Sequence, residues 1–570
     1  VQLAVNRAAF ENTSTVERRD VAQDADRVLG RVISCDGSRA TIASTVSAAG
    51  RLGPDTWTIG RMISINLGRT RVVGLVFQMR AVENRWQDDA ENAVHVDVEL
   101  LGEVAESPAG VTRFQNGIST YPPIGTIAHR IRAGDLALVH DLGDRAGIDI
   151  GELTQDAGIP ATICMEDMLS RHFAILGTTG VGKSSAVALL LRRAIAVKPR
   201  LRVLVLDPHN EYASAFPDKS VVIDAERLDL PFWMFRVEEF ADVVFRGRTP
   251  LEDEADILRE VIGMARARYR APSSRDMARD LGSSLLKRPL DVAAEWRPSD
   301  KLGSSADAPT PYRMTDALAV LDELTGLHEI RYPRATLRSL KVRVETLYAD
   351  PRYGFMFARA NMNETMAPVI GQIFRIPQHG RPITVFQLAG LPAEVVNAVA
   401  SVLARIAFDL AMASRGGYEI LLLCEEAHRY VPSDPAQGFA PTRQAIARIA
   451  KEGRKYGAYL GIVTQRPGEL DSTILSQCST IFAMRLANER DQQIIRAAIA
   501  DASASTINFL SSIGNREAIA FGEGVATTMR MRFATLEPAE LPAMAGLRTE
   551  VAGAREPLLE ELVGRMRGAG

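Results

Sequence analysis

The sequence predicts an α/β protein: a doubly wound, mainly parallel sheet, preceded by a small all-β barrel and carrying a helical insertion. Three observations predict it. From Arg171 onward, short and continuously apolar runs alternate with segments of helical periodicity, the pattern of buried parallel strands joined by helices. Between about Arg27 and Arg130 the runs are short, β-rich and separated by Gly, Asp and Asn clusters, as in a closed or nearly closed barrel. The first apolar run of the later part ends in a glycine-rich turn that opens directly into an amphipathic helix.

Composition bounds the function classes. The 570 residues are 46% hydrophobic and 24% charged, ordinary globular values that exclude wholesale disorder. A net charge of −3 excludes a histone-like polycation but leaves room for a local basic lining. Aromatics at 6% weaken any reading built on base-stacking platforms. Cys35, Cys164, Cys424 and Cys478 lie far apart without CxxC spacing, so neither a zinc knuckle nor a disulfide framework is indicated and a reducing compartment is expected. The N-terminus has no secretory pattern. The most apolar long stretch, Ala398 to Ala413, is interrupted by Arg405 and Asp409 and reads as a buried helix. The expectation is a cytoplasmic protein without membrane contact.

In chain order, residues 1–24 read as a polar N-terminal arm and 25–135 as the barrel, with strands at Val28–Ser34, Arg39–Ala43, Met62–Asn66, Arg71–Phe77 and Val94–Glu99. Tyr121-Pro122-Pro123-Ile124-Gly125 reads as the barrel's exit. Residues 136–236 are a connector, running to about Leu169, and the first part of the α/β core. Its strands are His172–Leu176 and Val203–Leu206. Residues 237–366, mostly helical with Pro/Ser-rich breaks at Ala271–Ser274 and around Pro298–Pro311, form the insertion. Residues 367–540 complete the core with strands at Ile383–Leu388, Glu419–Cys424, Tyr459–Thr464, Thr480–Leu486, Ala518–Phe521 and Met529–Ala534, and 541–570 are a tail.

The strongest chemical signal is Gly177-Thr178-Thr179-Gly180-Val181-Gly182-Lys183-Ser184, followed by Ser185. It matches G-x-x-x-x-G-K-[ST]: the glycines let backbone N–H groups converge on phosphate oxygens, Lys183 supplies charge to the β/γ-phosphates, and Ser184 can ligate Mg²⁺. The helix that starts here adds the positive end of its dipole. A chance glycine-rich turn is the alternative, and the strand before it and the helix after it argue against that. ATP and Mg²⁺ are the cofactors implied.

Ile420 to Cys424 is an apolar strand ending in Glu425-Glu426-Ala427-His428. A nucleotide hydrolase needs one carboxylate near its cation and another to orient or polarise water. Glu425 is assigned to the metal, through water, and Glu426 to the water nucleophile. Two solvated acids at a helix start would be the bland reading if the phosphate loop were missing. His428 reads as a neighbour rather than a ligand, and Cys424 as a core residue. Asp207-Pro208-His209-Asn210-Glu211-Tyr212 ends another strand at the same edge. Asp207 either joins the cation's water shell or merely forms a turn, and Glu211 is a candidate contact to a neighbouring subunit or to coupling machinery. Gln465, after the strand Tyr459–Thr464, can sense a γ-phosphate.

Between these motifs, Arg429, Arg443, Arg448, Lys451, Arg454 and Lys455 face only Asp434 and Glu452. On a helix over Ala440–Lys455, Arg443 and Arg454 fall about 20° apart, away from an Ile446, Ile449 and Ala450 stripe. Such a face either meets phosphate or is simply solvated. Arg429, Arg443 and Arg448, with Arg246 and Arg248, are the DNA-contact candidates.

Taken in order, Arg171–Gly177 leading into the phosphate loop, Asp207–Tyr212, Glu425–His428, Glu452-Gly453-Arg454-Lys455-Tyr456-Gly457 and Thr464-Gln465-Arg466-Pro467 resemble the HerA family of hexameric ATPases, in the FtsK–HerA branch of P-loop motors. The resemblance spans about Arg27 to Leu536. It implies a RecA-like P-loop ATPase core, a HAS-barrel-like N-terminal domain, a homo-hexamer, and ATP-driven translocation of double-stranded DNA. It also implies a partner nuclease or other effector, whether NurA-like, sirtuin-type or another defence enzyme, in DNA end processing or anti-phage defence. The resemblance makes Glu426 the catalytic base, Gln465 the sensor and Arg454 a finger acting in trans. Asn210 stands where the family often has Gly. An ATP-gated ring that assembles and activates a partner enzyme is the alternative function, since it needs the same site.

Overall fold

The computed structural model describes residues 27–47, 57–83, 86–87, 90–106, 111–224, 227–228, 230–270, 307, 309–326, 331–357, 366–498 and 508–543. The N-terminal arm, the break at 271–274 and nearly all of the C-terminal tail lie outside them.

Seven antiparallel strands build the N-terminal part: β1 Val28–Cys35, β2 Arg39–Ser47, β3 Met62–Asn66, β4 Thr70–Ala81, β5 Glu91–Glu106, β6 Thr112–Asn116 and β7 Ile127–Arg130. Their order is β2-β1-β7-β3-β4-β5-β6, and β2 also pairs with β5, so six strands close a barrel and β6 extends it. Closure leaves no free edges among those six. Val32, Ile42, Ile65, Val72, Val76, Val96 and Val98 fill its interior. The Tyr121–Gly125 segment is not the exit, because β7 follows it and completes the barrel between β1 and β3. β7 escapes a pattern reading because its four residues, IAHR, carry too little alternation.

The second sheet has eleven strands: β8 Gly147–Leu153, β9 Pro160–Cys164, β10 Phe173–Leu176, β11 Leu201–Asp207, β12 Ser220–Ile223, β13 Ile383–Gln387, β14 Glu419–Cys424, β15 Ala458–Thr464, β16 Thr480–Ala483, β17 Glu517–Gly522 and β18 Met529–Phe533. The order is β12-β13-β11-β14-β15-β10-β16-β17-β18-β8-β9. The seven strands from β12 to β16 are parallel and the last four antiparallel. The stretch read as a connector therefore contributes a hairpin, β8–β9, to the sheet's edge. Its Gly, Asp and Glu content hides it from β-propensity.

Alternating side chains cover two cores. Phe173, Ile175, Val203, Val205, Leu421, Leu423 and Val463 pack on the side of the helix Lys183–Val197. Ala174, Leu176, Leu204, Leu206, Leu422, Leu460 and Ile462 pack against the helix Ala393–Ser414 and the insertion. Ala393–Ser414 is the one helix among the described residues long and apolar enough to cross a membrane, and 78% of its apolar window is buried inside the protein. Two of its charged residues are paired: Arg405 Nη2 lies 3.0 Å from Glu239, itself 1% exposed, and Asp409 meets Arg448. The insertion's described helices are Val237–Val244, Glu252–Arg270, Met314–Gly326, Arg334–Ala349, Gly354–Phe357 and Met366–Ile373.

The strand order positions the site. Parallel strands present their carboxyl ends at one edge, where such sheets bind ligands. The register pairs Leu206 with Cys424, Cys424 with Ile462, and Leu176 with Thr464. β15 lies between β14 and β10, so whatever follows β15 stands between the acids after β14 and the glycine-rich loop after β10.

Candidate nucleotide site

The loop Gly177–Gly182 leaves β10 and runs into the helix Lys183–Val197. Gly180 and Gly182 have φ of +78° and +103°, which L side chains resist. A Cβ at Gly182 would also lie 3.2 Å from Arg516 Cγ. Thr178 N–H donates to the Arg485 carbonyl at 3.0 Å, and Gly177 N–H to that of Thr464 at 3.3 Å, fixing the loop to both neighbouring strands. Lys183 is 8% exposed and its Nζ donates to the Thr178 carbonyl at 3.0 Å. Burial holds its ammonium below the ordinary value, opposed by the charges of Glu425, Glu426 and Glu211. Three carboxylates thus surround one buried cation.

Glu425 and Glu426 are each 4% exposed. Burial pushes the Glu425 carboxyl well above the usual carboxylate range, although Tyr212 Oη donates to Glu425 Oε2 at 2.7 Å. Glu426 has φ of +50°, a left-handed conformation costly for a non-glycine residue and characteristic of functional turns. That turn sends its side chain to β15: Gln465 Nε2 donates to Glu426 Oε1, and Thr179 Oγ1 donates to Gln465 Oε1. One amide therefore ties the phosphate loop to the second acid. Glu426 Oε2 is buried without a hydrogen bond, with His428 Nδ1 3.3 Å away. Thr464 Oγ1 accepts from Arg466 N–H and lies 3.0 Å from the same Nδ1, so that nitrogen stands between the threonine hydroxyl and the Glu426 carboxylate. Burial also holds His428 below its usual value.

A buried lysine on a glycine-rich loop, two strand-end carboxylates and a bridging amide make a site for binding and cleaving a nucleoside polyphosphate. A family model described as "Helicase HerA, central domain" matches residues 148–407. The chain carries a HerA-type central domain. It is similar to the DNA double-strand break repair helicase HerA of Pyrococcus furiosus, 27% identical over 431 residues that cover 70% of this chain and 71% of that protein. The protein of the same name from Sulfolobus acidocaldarius is 28% identical over 413 residues, 71% and 72% of the two chains. Among solved structures, VirB4 of Thermoanaerobacter pseudethanolicus aligns over 70% of this chain and 98% of its own with 16% identity and a TM-score of 0.46. The HerA-type core is that of a P-loop ATP hydrolase, behind an antiparallel barrel.

In the core, Lys183, Ser184, Glu425, Glu426 and Gln465 come together, and Asp207 does not join them. Asp207 is fully buried, and its carboxylate accepts the N–H groups of Tyr212 at 2.9 Å and His209 at 3.3 Å, which makes it a turn former. Glu211 stands in its place: Ser184 Oγ donates to Glu211 Oε2 at 2.8 Å. The spacing of Glu211 from Asp207 was legible in the sequence, but its partner was not. Asn210, at φ +58°, occupies a left-handed position that suits glycine or asparagine.

The basic face is not a free one. The helix runs Ala440–Glu452 and stops, so Arg454 belongs to the 3₁₀ turn Gly453–Lys455 and not to the helix that carries Arg443. Arg443 is held by Asp471, with Nε 2.9 Å from Oδ2. Arg448 meets Asp409 at 3.4 Å and covers the Phe408 ring, 4.0 Å from its centroid. Arg248 pairs with Glu254 at 2.7 Å. Arg246, Arg429 and Arg454 are exposed, and their side chains make no ion pair among the described residues.

Proposed function

We propose that the protein is an ATP-driven ring motor that translocates double-stranded DNA and works with a separate nuclease or other effector. The observation that carries the reading is the chain Thr179–Gln465–Glu426, which joins the phosphate loop to the acid whose second oxygen is buried and unpaired. The printed names of the HerA relatives, DNA repair helicases, support DNA as the substrate.

In this reading the loop N–H groups and Lys183 hold the phosphates. Glu426 Oε2 takes a proton from the attacking water, and Gln465 keeps that carboxylate aligned with the loop. Ser184 and Glu425 would hold a Mg²⁺ ion. Among the described residues no group of three or more His, Cys, Asp or Glu forms a cage, and Mg²⁺ is ordinarily held by one or two carboxylates plus substrate phosphates. Bound there, such an ion would supply charge neutralisation to the phosphates. Arg454, exposed at the turn before β15, is available to a neighbouring subunit's site, as a homo-hexamer requires.

The test is ATP turnover by the purified protein with and without linear duplex DNA, with mass spectrometry of co-purifying proteins. Stimulation by duplex supports the motor. Turnover indifferent to DNA, coupled to activation of a co-purified enzyme, would overturn it.

A further inference from the structure

The motif Asp207–Tyr212 is larger than a turn needs, and its last two residues reach the nucleotide pocket separately. Asp207 folds the segment with its carboxylate, and Asn210 reverses it at positive φ. Glu211 then accepts the Ser184 hydroxyl proton at 2.8 Å, while the adjacent Tyr212, with no exposed surface, donates its hydroxyl proton to Glu425 at 2.7 Å. A serine hydroxyl has one proton and two lone pairs. With the proton directed to Glu211, the lone pairs are left for a cation. The tyrosine hydroxyl fixes the rotamer of a carboxylate that burial would otherwise leave poorly satisfied. The segment is itself braced from outside, because Ala543 N–H donates to the Glu211 carbonyl at 3.1 Å and to Ser214 Oγ at 2.8 Å.

We propose that Glu211 and Tyr212 are positioning residues for the cation side of the nucleotide pocket, Glu211 acting through the Ser184 hydroxyl and Tyr212 through the Glu425 carboxylate. This rests on the reading of the site as one for MgATP. Groups that orient metal ligands in this way typically contribute about 10–100-fold to metal affinity.

The experiment is binding of a fluorescent ADP analogue to the full-length protein, in EDTA and across a Mg²⁺ titration. For the wild type, Mg²⁺ tightens binding. Glu211→Ala and Tyr212→Phe are expected to bind the analogue in EDTA no more weakly than the wild type, since the phosphate loop is untouched and Glu211→Ala removes one of the negative charges about Lys183. Both should need about 10–100-fold more Mg²⁺ for half the effect. Glu211→Gln retains an acceptor oxygen for Ser184 and is expected to keep most of the wild-type response. An unchanged Mg²⁺ midpoint in both Glu211→Ala and Tyr212→Phe would overturn the assignment. So would equal losses with and without Mg²⁺, which would mark the segment as scaffold. A wild-type protein that binds no nucleotide would instead overturn the reading of the site on which the assignment rests.

Discussion

Replacing Glu426 by Gln removes one charge and almost no volume from a position that is 4% exposed. The carboxylate's free oxygen is the base assigned on the Gln465 side of the pocket, so the chemical step should slow by the worth of a general base. That is about 10²–10⁴-fold, or about 2.7–5.5 kcal/mol of barrier. Binding should not weaken. Lys183 loses one of three carboxylate neighbours, which reduces the negative charge a polyphosphate must approach. The new amide can rotate to keep its bond to Gln465. Nor should the fold suffer, because the oxygen being replaced has no hydrogen bond to lose. The assay is single-turnover hydrolysis of radiolabelled ATP with enzyme in excess, alongside equilibrium binding of the same nucleotide and a thermal melt. Hydrolysis near the wild-type rate would refute the assignment of the base. A fall in hydrolysis matched by a fall in binding would refute the separation of roles between Glu426 and Lys183.

Further outcomes follow from the same geometry. Arg454→Ala should bind ATP but lose most hydrolysis, and mixing it with Lys183→Ala should restore part of it, because an intact site then meets an intact arginine; no recovery despite verified subunit exchange would make Arg454 a cis or structural residue. Charge reversal at the unpaired Arg429 and Arg246 should weaken duplex binding and flatten its salt dependence, whereas reversal at Arg443 should chiefly lower the melting temperature by stranding Asp471; filter binding at several salt concentrations and melts separate the two. Burial raises the Asp242 carboxyl to about 7, with Glu394 adding to the rise, and its Oδ2 has no hydrogen bond. Between the unfolded value near 4 and about 7 the native state therefore holds a proton that the unfolded state has lost. That contribution is fully present below the unfolded value and is lost as pH rises through 7, so Asp242→Asn should be more stable than the wild type at pH 8 and should show a flatter stability profile across this window in urea melts.

The part of the site written as contiguous sequence was the legible part. Gly177–Ser184 and Glu425-Glu426 announce themselves because each follows an apolar strand, and the chemistry depends on neighbours in the chain. Pairings set by strand order were not legible. That Gln465 stands between Thr179 and Glu426 depends on β15 lying between β10 and β14, and no local pattern states that order. Glu211 on Ser184 likewise joins loops from β11 and β10, which are not adjacent in the sheet. The partners of the basic stretch were hidden for the same reason. Its periodicity is real, but Asp471 and Asp409, which hold Arg443 and Arg448, come from other elements. In the fold, the strands missed were short or weakly patterned: β6, β7 and β12, with four or five residues each, and the β8–β9 hairpin with its Gly, Asp and Glu. Tertiary pairing outweighs propensity in such strands.

The central claim, that ATP hydrolysis at this site drives movement along duplex DNA, is tested most directly by displacement of a triplex-forming oligonucleotide from a linear duplex. The wild-type protein should strip the third strand with ATP and should fail to do so with a non-hydrolysable analogue, and Glu426→Gln should bind the duplex without stripping it. Displacement that proceeds equally without hydrolysis, or none from a protein whose ATP turnover the same duplex stimulates, would contradict the account.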